Sequence, residues 1–318
     1  MLARMPHHYA GVVALLAGAL ALDGSAIAAA RASGVVGAGP AQPAGVSASA
    51  RDRVDALVRE SGAKVAIAFR TRDGRLEMLV EPDLMFHAAS TMKVAVMIEL
   101  FRQQELGLVK LDDPMPVVNR FTSVIDGSQF TLAAEDDLEP ELYKRVGQLS
   151  TARELCELMI TVSSNLATNV LMQRLGTQKI QQTIVDLGAG GMQVIRPLFD
   201  PKAIEAGRNN TTTARALFAL MEAIAQGRAV TPAASREMIE ILKRQRWNDA
   251  IPAGLPPGTP VAHKHGNVTR IYHDAALVFG PRPYTLVVLV GGIEDEKVST
   301  RLIADIARTL HQAATPPQ

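Results

Sequence analysis

The chain has 318 residues, of which 47% are hydrophobic, and a formal net charge of +1, which fits a globular protein of one or two domains. Lysine and arginine number 33 against 32 acidic residues, and aromatic residues make up 4%, so no basic stripe or stacking platform for a nucleic acid is expected. The single cysteine, Cys156, excludes an internal disulfide and lies on an apolar helical pattern typical of a core residue.

The first 30 residues have the pattern of a secretory signal peptide. Arg4 precedes an apolar run from Gly11 to Leu22 that is short for a membrane span, and Ala28–Ala30 supplies a small-residue cleavage site. We therefore predict a secreted or periplasmic protein without a membrane span after cleavage. An uncleaved anchor and a disordered tail are the alternatives. Residues 31–50 are rich in glycine, alanine and proline, which predicts a flexible linker.

A helix and a β-hairpin are predicted to open the domain. Apolar residues recur at helical spacing over residues 51–61, before Gly62 ends the pattern. Residues 64–70 and 75–80 favour strands, and the Asp73-Gly74 dipeptide between them tolerates the positive φ of a tight turn. The sequence therefore predicts two antiparallel strands after the first helix.

The next segment places Ser90 and Lys93 three residues apart, at the start of an apolar helix that is predicted to end at Gly107 with Ser90 as its cap. At that spacing both side chains lie on one helix face, so the lysine, once deprotonated, could accept the serine proton. A Ser-x-x-Lys match is expected by chance about once in a chain this long. A surface lysine after a helix cap is therefore the alternative.

The middle of the chain is predicted to be mostly helical after an irregular stretch. Residues 108–147 predict short strands and loops, and the acidic run 135–137 predicts a solvated face. A capping-box pattern at Thr151 starts a helix that ends near Val162. The segment Ser163-Ser164-Asn165 then interrupts the pattern before a second apolar helix, and ordinary helix caps would explain these polar residues equally well.

A long glycine-punctuated loop over residues 187–210 is followed by the elements that complete the fold. Loops of this kind often border active sites. The patterns predict helices after Asn210 and over residues 235–246, a return to strands from Val261, a hairpin formed by residues 274–279 and 284–290, and a closing helix over residues 301–311.

Three short motifs occur in the same order as in a known group of serine hydrolases. They are Ser90/Lys93, Ser163/Asn165 and Lys264/Gly266, placed at a helix start, a helix junction and a strand. The chain thus resembles class A β-lactamases and related penicillin-binding serine hydrolases over about residues 51–312.

The resemblance implies an α/β (α+β) fold. An antiparallel sheet would be flanked by the N- and C-terminal helices, with an inserted, mostly helical part and the active site between the two parts. In this chain the domain would cover residues 51–314, with sheet-bearing segments 51–87 and 228–314 and a helical part over residues 88–227.

The resemblance also implies catalytic roles. Ser90 would be the acylated nucleophile, and Lys93 the general base with a pKa lowered by burial and by the second cation, Lys264. Ser163 would relay a proton to the lactam nitrogen, Asn165 would hold the side-chain amide of the substrate, and Lys264 would attract its carboxylate.

Further binding roles fall on the predicted strand that follows Lys264. The backbone N–H groups of Ser90 and Asn267 would form an oxyanion hole, next to Gly266. His265 could donate a hydrogen bond to a substrate carboxylate, and Arg270 is a further carboxylate candidate. A monomer acting on a β-lactam or a peptidoglycan-like molecule, without a cofactor, is expected.

This chain departs from the pattern of the family at three places. Ser164 replaces the usual aspartate of Ser-Asp-Asn, and His265 replaces the usual threonine of Lys-Thr-Gly. The loop at residues 196–200 lacks the glutamate that activates the deacylating water, for which Asp200 and Glu205 are candidate substitutes. If neither serves, the chain would be a D,D-peptidase or penicillin-binding enzyme with slow deacylation, or a non-catalytic binding or sensing module.

A zinc site is the rival interpretation of the C-terminal histidines. His263 and His265 are two residues apart on a predicted strand and share a face, so that His273 could join them in binding zinc. No His-Glu-x-x-His motif accompanies them, and Lys264 between two of them would oppose a cation. We therefore predict no metal.

Overall fold

The protein is described here from a computed structural model that covers residues 44–315. The predicted signal peptide and most of the predicted linker lie outside the described residues. The strands are β1 (Ala44–Gly45), β2 (Lys64–Thr71), β3 (Leu76–Val80), β4 (Phe86–His87), β5 (Pro114–Pro116), β6 (Phe121–Thr122), β7 (Gln129–Phe130), β8 (Leu149–Thr151), β9 (Thr211–Thr212), β10 (Val261–Val268), β11 (Ile271–Val278) and β12 (Tyr284–Gly291).

The helices complete the element order. They are α1 (Ala48–Ser61), α2 (Lys93–Glu105), α3 (Ala152–Thr161), α4 (Asn165–Leu175), α5 (Thr177–Asp186), α6 (Pro201–Glu205), α7 (Ala214–Ala225), α8 (Pro232–Lys243) and α9 (Glu296–Ala314). Short 3-10 helices cover Ala89–Met92, Ala134–Asp136, Pro140–Arg145 and Pro252–Gly254.

A six-stranded sheet forms the centre of the fold, in the order β1-β3-β2-β12-β11-β10. All pairs are antiparallel except β1 with β3. Alternate residues point to opposite faces, so the sheet buries apolar side chains on both sides. One face packs on α1 and α9, and the other packs on a core to which α2, α3, α4 and α7 contribute. The predicted fold class is confirmed.

Local sequence features explain where these elements begin and turn. Helix α1 starts at Ala48, three residues before the predicted domain start at Arg51, because the Ser47 side chain accepts a hydrogen bond from the N–H of Ala50. The hairpin between β2 and β3 turns at Gly74, whose φ is +68°. The predicted hairpin is therefore present, whereas residues 48–50, which were predicted to belong to the linker, are helical.

Two helices, α5 and α6, were not predicted, since α6 lies within the predicted loop 187–210, and two others begin earlier than expected. Helix α5 buries only Ile180, Thr183 and Ile184, a stripe too narrow to stand out among its polar residues. Helices α8 and α9 begin earlier because Thr231 and Asp295 cap them with side-chain hydrogen bonds to backbone N–H groups. Among residues 44–315, no helix combines the length and the apolar character that crossing a membrane requires.

Candidate active site

Ser90 lies in the 3-10 helix that leads directly into α2, and Lys93 is the first residue of α2. Ser90 does not cap a helix, contrary to the prediction. Instead, the ring nitrogen Nδ1 of His87 accepts a hydrogen bond of 3.0 Å from the N–H of Ala89, whose φ is +47°. This turn directs the hydroxyl of Ser90 toward Lys93, with 2.9 Å between Oγ and Nζ.

The amine of Lys93 is fully buried and surrounded by oxygen atoms. Its Nζ lies 2.8 Å from the carbonyl oxygen of Ser163, 3.0 Å from Ser163 Oγ and 3.0 Å from Asn165 Oδ1. Burial lowers the pKa of Lys93 to about 7, although the negative charge of Asp137 opposes this effect. Near neutral pH a large share of the amine is therefore neutral, with a lone pair free to accept the proton of Ser90.

Ser163 connects two lysines at the junction of α3 and α4. Its φ of +64° is rare for a residue with a side chain, and it lets both the carbonyl and the hydroxyl reach Lys93. Lys264 Nζ donates to Ser163 Oγ from the other side at 3.1 Å. Burial first, and then the nearby charge of Lys93, lower the pKa of Lys264 well below its ordinary value. The hydroxyl of Ser163 can therefore pass a proton between these groups.

Strand β10 forms the free edge of the sheet beside Ser90. The N–H of Phe279 donates to the carbonyl of Pro260, so residues 260 and 279 form a hydrogen-bonded pair. Along an antiparallel ladder such pairs alternate with pairs that are not hydrogen-bonded, and the pair of Asn267 with Tyr272, seven positions further along, is of the second kind. This alternation turns the N–H of Asn267 away from β11, toward the free edge. At Gly266 the backbone of β10 passes so close to Ser90 that a side chain would not fit.

Asp137 is buried, with 8% of its surface exposed, so the prediction of a solvated acidic face is wrong at this residue. Its carboxylate accepts hydrogen bonds from the N–H groups of Asn165 and Leu166 at 2.9 and 2.7 Å. The neighbours Glu135 and Asp136 are exposed as predicted. A carboxylate thus faces the start of α4, a contact that no local pattern around residue 137 indicates.

The side chain of His265 does not join the cluster around Ser90. It lies on the opposite face of β10, where its ring packs near the rings of Trp247 and Tyr272 at centroid distances of 5.9 and 6.2 Å. Its Nδ1 is buried without a hydrogen-bond partner, and burial strongly lowers its pKa. Arg270 lies in the turn after β10 and donates to the carbonyl of Gly292 at 3.2 Å.

Neither acid of the long loop forms a hydrogen bond with Ser90. Asp200 is fully buried, and its carboxylate accepts from the hydroxyl of Ser123 and the N–H of Val124, both at 2.9 Å. The same carboxylate caps α6, whereas Glu205 at the end of α6 is exposed. Within residues 44–315, the Ser90 hydroxyl has no hydrogen bond to a carboxylate.

The three histidines considered for zinc do not converge. His263 bonds to Asp274 at 2.9 Å, while the His273 ring lies on the other face of the sheet and bonds to the carbonyl of His87 at 3.0 Å. In the described part of the chain, no three metal-ligating side chains are grouped for an ion.

Sequence reasoning missed His87 and Asp137. His87 stands only three residues before Ser90, but no spacing rule singles out a histidine there. For Asp137 an indirect signal exists, because Ser164 stands where the related motif carries an acid. Ser164 caps the N–H of Ala167, and the N–H groups of Asn165 and Leu166 receive their carboxylate from Asp137.

Comparison with known proteins agrees with this geometry. The sequence model of the β-lactamase enzyme family matches residues 49–314. The chain is 29% identical to the β-lactamase AST-1 of Nocardia asteroides, with 94% of each chain covered. It is 28% identical to a β-lactamase of Streptomyces albus G, with 84% of this chain and 85% of the relative covered.

Solved structures give the same result at the level of the fold. PBP-A superposes with a TM-score of 0.73 at 26% identity, covering 86% of this chain and 98% of PBP-A. A leucine-to-glutamate mutant of PBP-A, solved as an acyl-enzyme complex with penicillin G, superposes with a TM-score of 0.72 at 25% identity over 85% of this chain and 98% of the mutant. A reconstructed ancestral class A β-lactamase of Gram-negative bacteria has a TM-score of 0.70 over 83% of this chain and 99% of its own length. The chain belongs to the β-lactamase enzyme family and has the fold of a serine β-lactamase or penicillin-binding hydrolase.

Proposed function

We propose that this protein opens β-lactam rings by forming an acyl-enzyme at Ser90 and releases the acyl group slowly. The observation that carries the proposal is the contact between Ser90 Oγ and the buried Nζ of Lys93, at 2.9 Å, with the Lys93 pKa at about 7. A base of that pKa is half neutral near pH 7, where general-base catalysis is efficient.

Acylation can be written with the atoms in place. Neutral Lys93 accepts the proton of Ser90 while Oγ attacks the lactam carbonyl carbon, and the N–H groups of Ser90 and Asn267 stabilise the developing oxyanion. The carbon–nitrogen bond then breaks, and the lactam nitrogen takes the hydroxyl proton of Ser163. Protonated Lys93, which lies 3.0 Å from Ser163 Oγ, replaces that proton and becomes neutral again, while Lys264 attracts the substrate carboxylate.

Slow release follows from the positions of the loop acids. Deacylation needs a base that activates a water next to the acyl-serine. The carboxylate of Asp200 is already bonded to Ser123 and Val124, and Glu205 is exposed at the end of α6. Among residues 44–315, Lys93 is the base in contact with Ser90 that could activate the water, and we expect acylation to outpace deacylation.

The mass of the intact protein after mixing with penicillin G tests this proposal. We expect an adduct with the full mass of penicillin G within seconds to minutes that decays much more slowly than it forms. The Ser90→Ala variant is the control and should form none. Absence of an adduct together with absence of turnover in the wild type would refute the serine mechanism and leave a non-catalytic module.

A D,D-peptidase is the second candidate, because a long-lived β-lactam adduct suits an enzyme whose own substrate is a peptide. The chain is similar to PBP-A over most of its length. Release of D-alanine from a D-alanyl-D-alanine peptide, lost in Ser90→Ala, would support it. Fast β-lactam hydrolysis without D-alanine release would instead assign the chain to the β-lactamases proper.

We further propose that residues 1–30 direct export, on the strength of the apolar run and the alanines at 28–30. N-terminal sequencing of the protein recovered from outside the cytoplasm should find a start near Arg31. Recovery of the chain only inside cells, with Met1 intact, would contradict this proposal.

A further inference from the structure

The carboxylate of Asp137 makes more contacts than a surface acid would need. It lies between β7 and the 3-10 helix at Pro140–Arg145, and Oδ1 accepts from the N–H of Glu139 at 3.0 Å. Its Oδ2 accepts from the hydroxyls of Tyr143 and Ser164 at 3.1 and 3.3 Å. With the two N–H groups of α4 described above, these contacts give it five donors.

These donors include the free end of α4. The first N–H groups of a helix have no acceptor within the helix. Ser164 Oγ satisfies the N–H of Ala167, and Asp137 satisfies those of Asn165 and Leu166. A negative charge at this end is also favoured by the helix dipole. The start of α4 is therefore fixed by a loop distant in sequence.

The same segment carries two groups that contact Lys93. Ser163 lies two residues before α4, and Asn165 is the first residue of α4. The amide of Asn165 is held at both ends, since Oδ1 lies 3.0 Å from Lys93 Nζ and Nδ2 donates to the carbonyl of Asp136 at 3.1 Å. A shift of α4 by a fraction of an ångström would therefore change both contacts with Lys93.

We propose that Asp137 is a positioning residue for acylation, which holds Ser163 and Asn165 against Lys93 and supplies the negative charge that acts on the buried Lys93. It does not touch the reacting atoms. The inference rests on the proposed acylation of Ser90. It gives the segment between β7 and β8, which carries Asp137, a role in positioning the catalytic groups.

The charges around Lys93 define the electrostatic part of the role. Lys264 from β10 contacts the same Ser163 hydroxyl as Lys93, and Asp137 is the acid that raises the pKa of Lys93 against the effect of burial, whereas Asp274 on β11 acts on Lys264. His265, on β10, is neutral because its pKa is strongly lowered. Removal of the Asp137 charge should therefore lower the pKa of Lys93 further.

The Asp137→Asn variant isolates the charge. The amide oxygen of asparagine can still accept from the N–H groups of Asn165 and Leu166, so the fold should survive. We expect acylation by a chromogenic cephalosporin to slow about tenfold at its plateau. The midpoint of its pH dependence should move about 0.5 to 1 pH unit lower. Glu135→Gln, which removes an exposed charge two residues away, is the matched control and should leave the rate and the midpoint unchanged.

Titration of the Lys93 side chain by NMR, with Lys93→Arg used to assign its signal, reports the same shift without any substrate. If wild type is not acylated, the proposed function fails, yet the Asp137→Asn titration still tests the electrostatic role. A slower Asp137→Asn with unchanged midpoint and titration would overturn the inference and leave a structural role only. An unchanged rate would overturn it as well.

A carboxylate restored at a different position provides the last check. Ser164 lies beside Asp137, so Ser164→Asp in the Asp137→Asn background places a charge next to the same N–H groups. We expect this double variant to regain most of the lost rate and the original midpoint. A double variant that folds, by its circular dichroism, but stays as slow and as shifted as Asp137→Asn would contradict the inference.

Discussion

Gly266 and Ser90 are in direct backbone contact across the active site: a Cβ at position 266 would lie 2.7 Å from the backbone nitrogen of Ser90 and 2.8 Å from that of Thr91. Neither partner is a flexible side chain, so the strand or the 3-10 helix would have to move. The separation between the two proposed oxyanion N–H groups, those of Ser90 and Asn267, is set by this contact.

The Gly266→Ala variant should therefore lose acylation while it keeps its fold. We expect the acylation rate to fall about 100-fold or more, because displacement of one oxyanion donor costs that much in other hydrolases. Stopped-flow measurement with a chromogenic cephalosporin would give the rate. Gly280→Ala is the control, since nothing lies within 4 Å of its added Cβ. Equal rates for both variants would contradict this account of the contact.

The acylation rate should depend on pH through Lys93. Its pKa of about 7 lies below the ordinary lysine value, so the neutral, active form is lost as the pH falls through 7. We expect the rate to fall about tenfold for each pH unit below that midpoint and to level off above it. Lys93→Arg, which cannot deprotonate near neutral pH, should lower the rate about 1,000-fold or more and remove this dependence. A wild-type rate independent of pH between 5 and 8 would exclude Lys93 as the base.

Two variants of Ser163 separate the effect of backbone strain on stability from the effect of the lost hydroxyl on acylation. Ser163→Ala and Ser163→Gly both remove the hydroxyl, so both should slow acylation by a similar factor. Because φ at this position is +64°, the glycine variant should be more stable than the alanine variant by about 1 kcal/mol. Urea unfolding measures the difference. If the alanine variant were the more stable, the left-handed backbone at residue 163 would not carry strain.

Asp200 should matter for stability and not for turnover. Its carboxylate binds Ser123, Val124 and the N–H of Ala203, so Asp200→Ala leaves two buried donors and one partly buried donor without an acceptor. We expect unfolding to become easier by about 1 to 3 kcal/mol or more. The decay of the penicillin adduct, followed by mass, should be unchanged at a temperature where the variant is folded. Selective loss of deacylation in Asp200→Ala, but not in Glu205→Gln, would identify Asp200 as the missing base.

Much of the fold could be predicted because its signals are local. The hairpin at Gly74, the cap of α3 at Thr151 and the apolar strands β11 and β12 each follow from a few adjacent residues. Helix α5 could not be predicted in this way. Its two buried isoleucines give a weak pattern, and the helix is held by packing against α2 and α4.

In the candidate site, too, some contacts follow from local sequence and others depend on residues distant in the chain. Ser90 and Lys93 share one helical segment, so their contact follows from spacing. The burial of Asp137 and Asp200 depends on partners far away in the sequence, and charge alone suggested that acids in loops face water. His265 was judged by its neighbours in the motif, whereas the alternation of the strand sends its side chain to the other face.

The hydrogen bonds that hold the Asp200 carboxylate also affect how this protein could change under selection. Re-aiming that acid toward Ser90 would break contacts with Ser123 and Val124 and uncap α6 at the same time, so the first step would be destabilising. A new acid elsewhere on the loop carries no such penalty. Antibiotic pressure on this chain should therefore favour a substitution that adds a new carboxylate to the loop over a rearrangement that turns Asp200 toward Ser90.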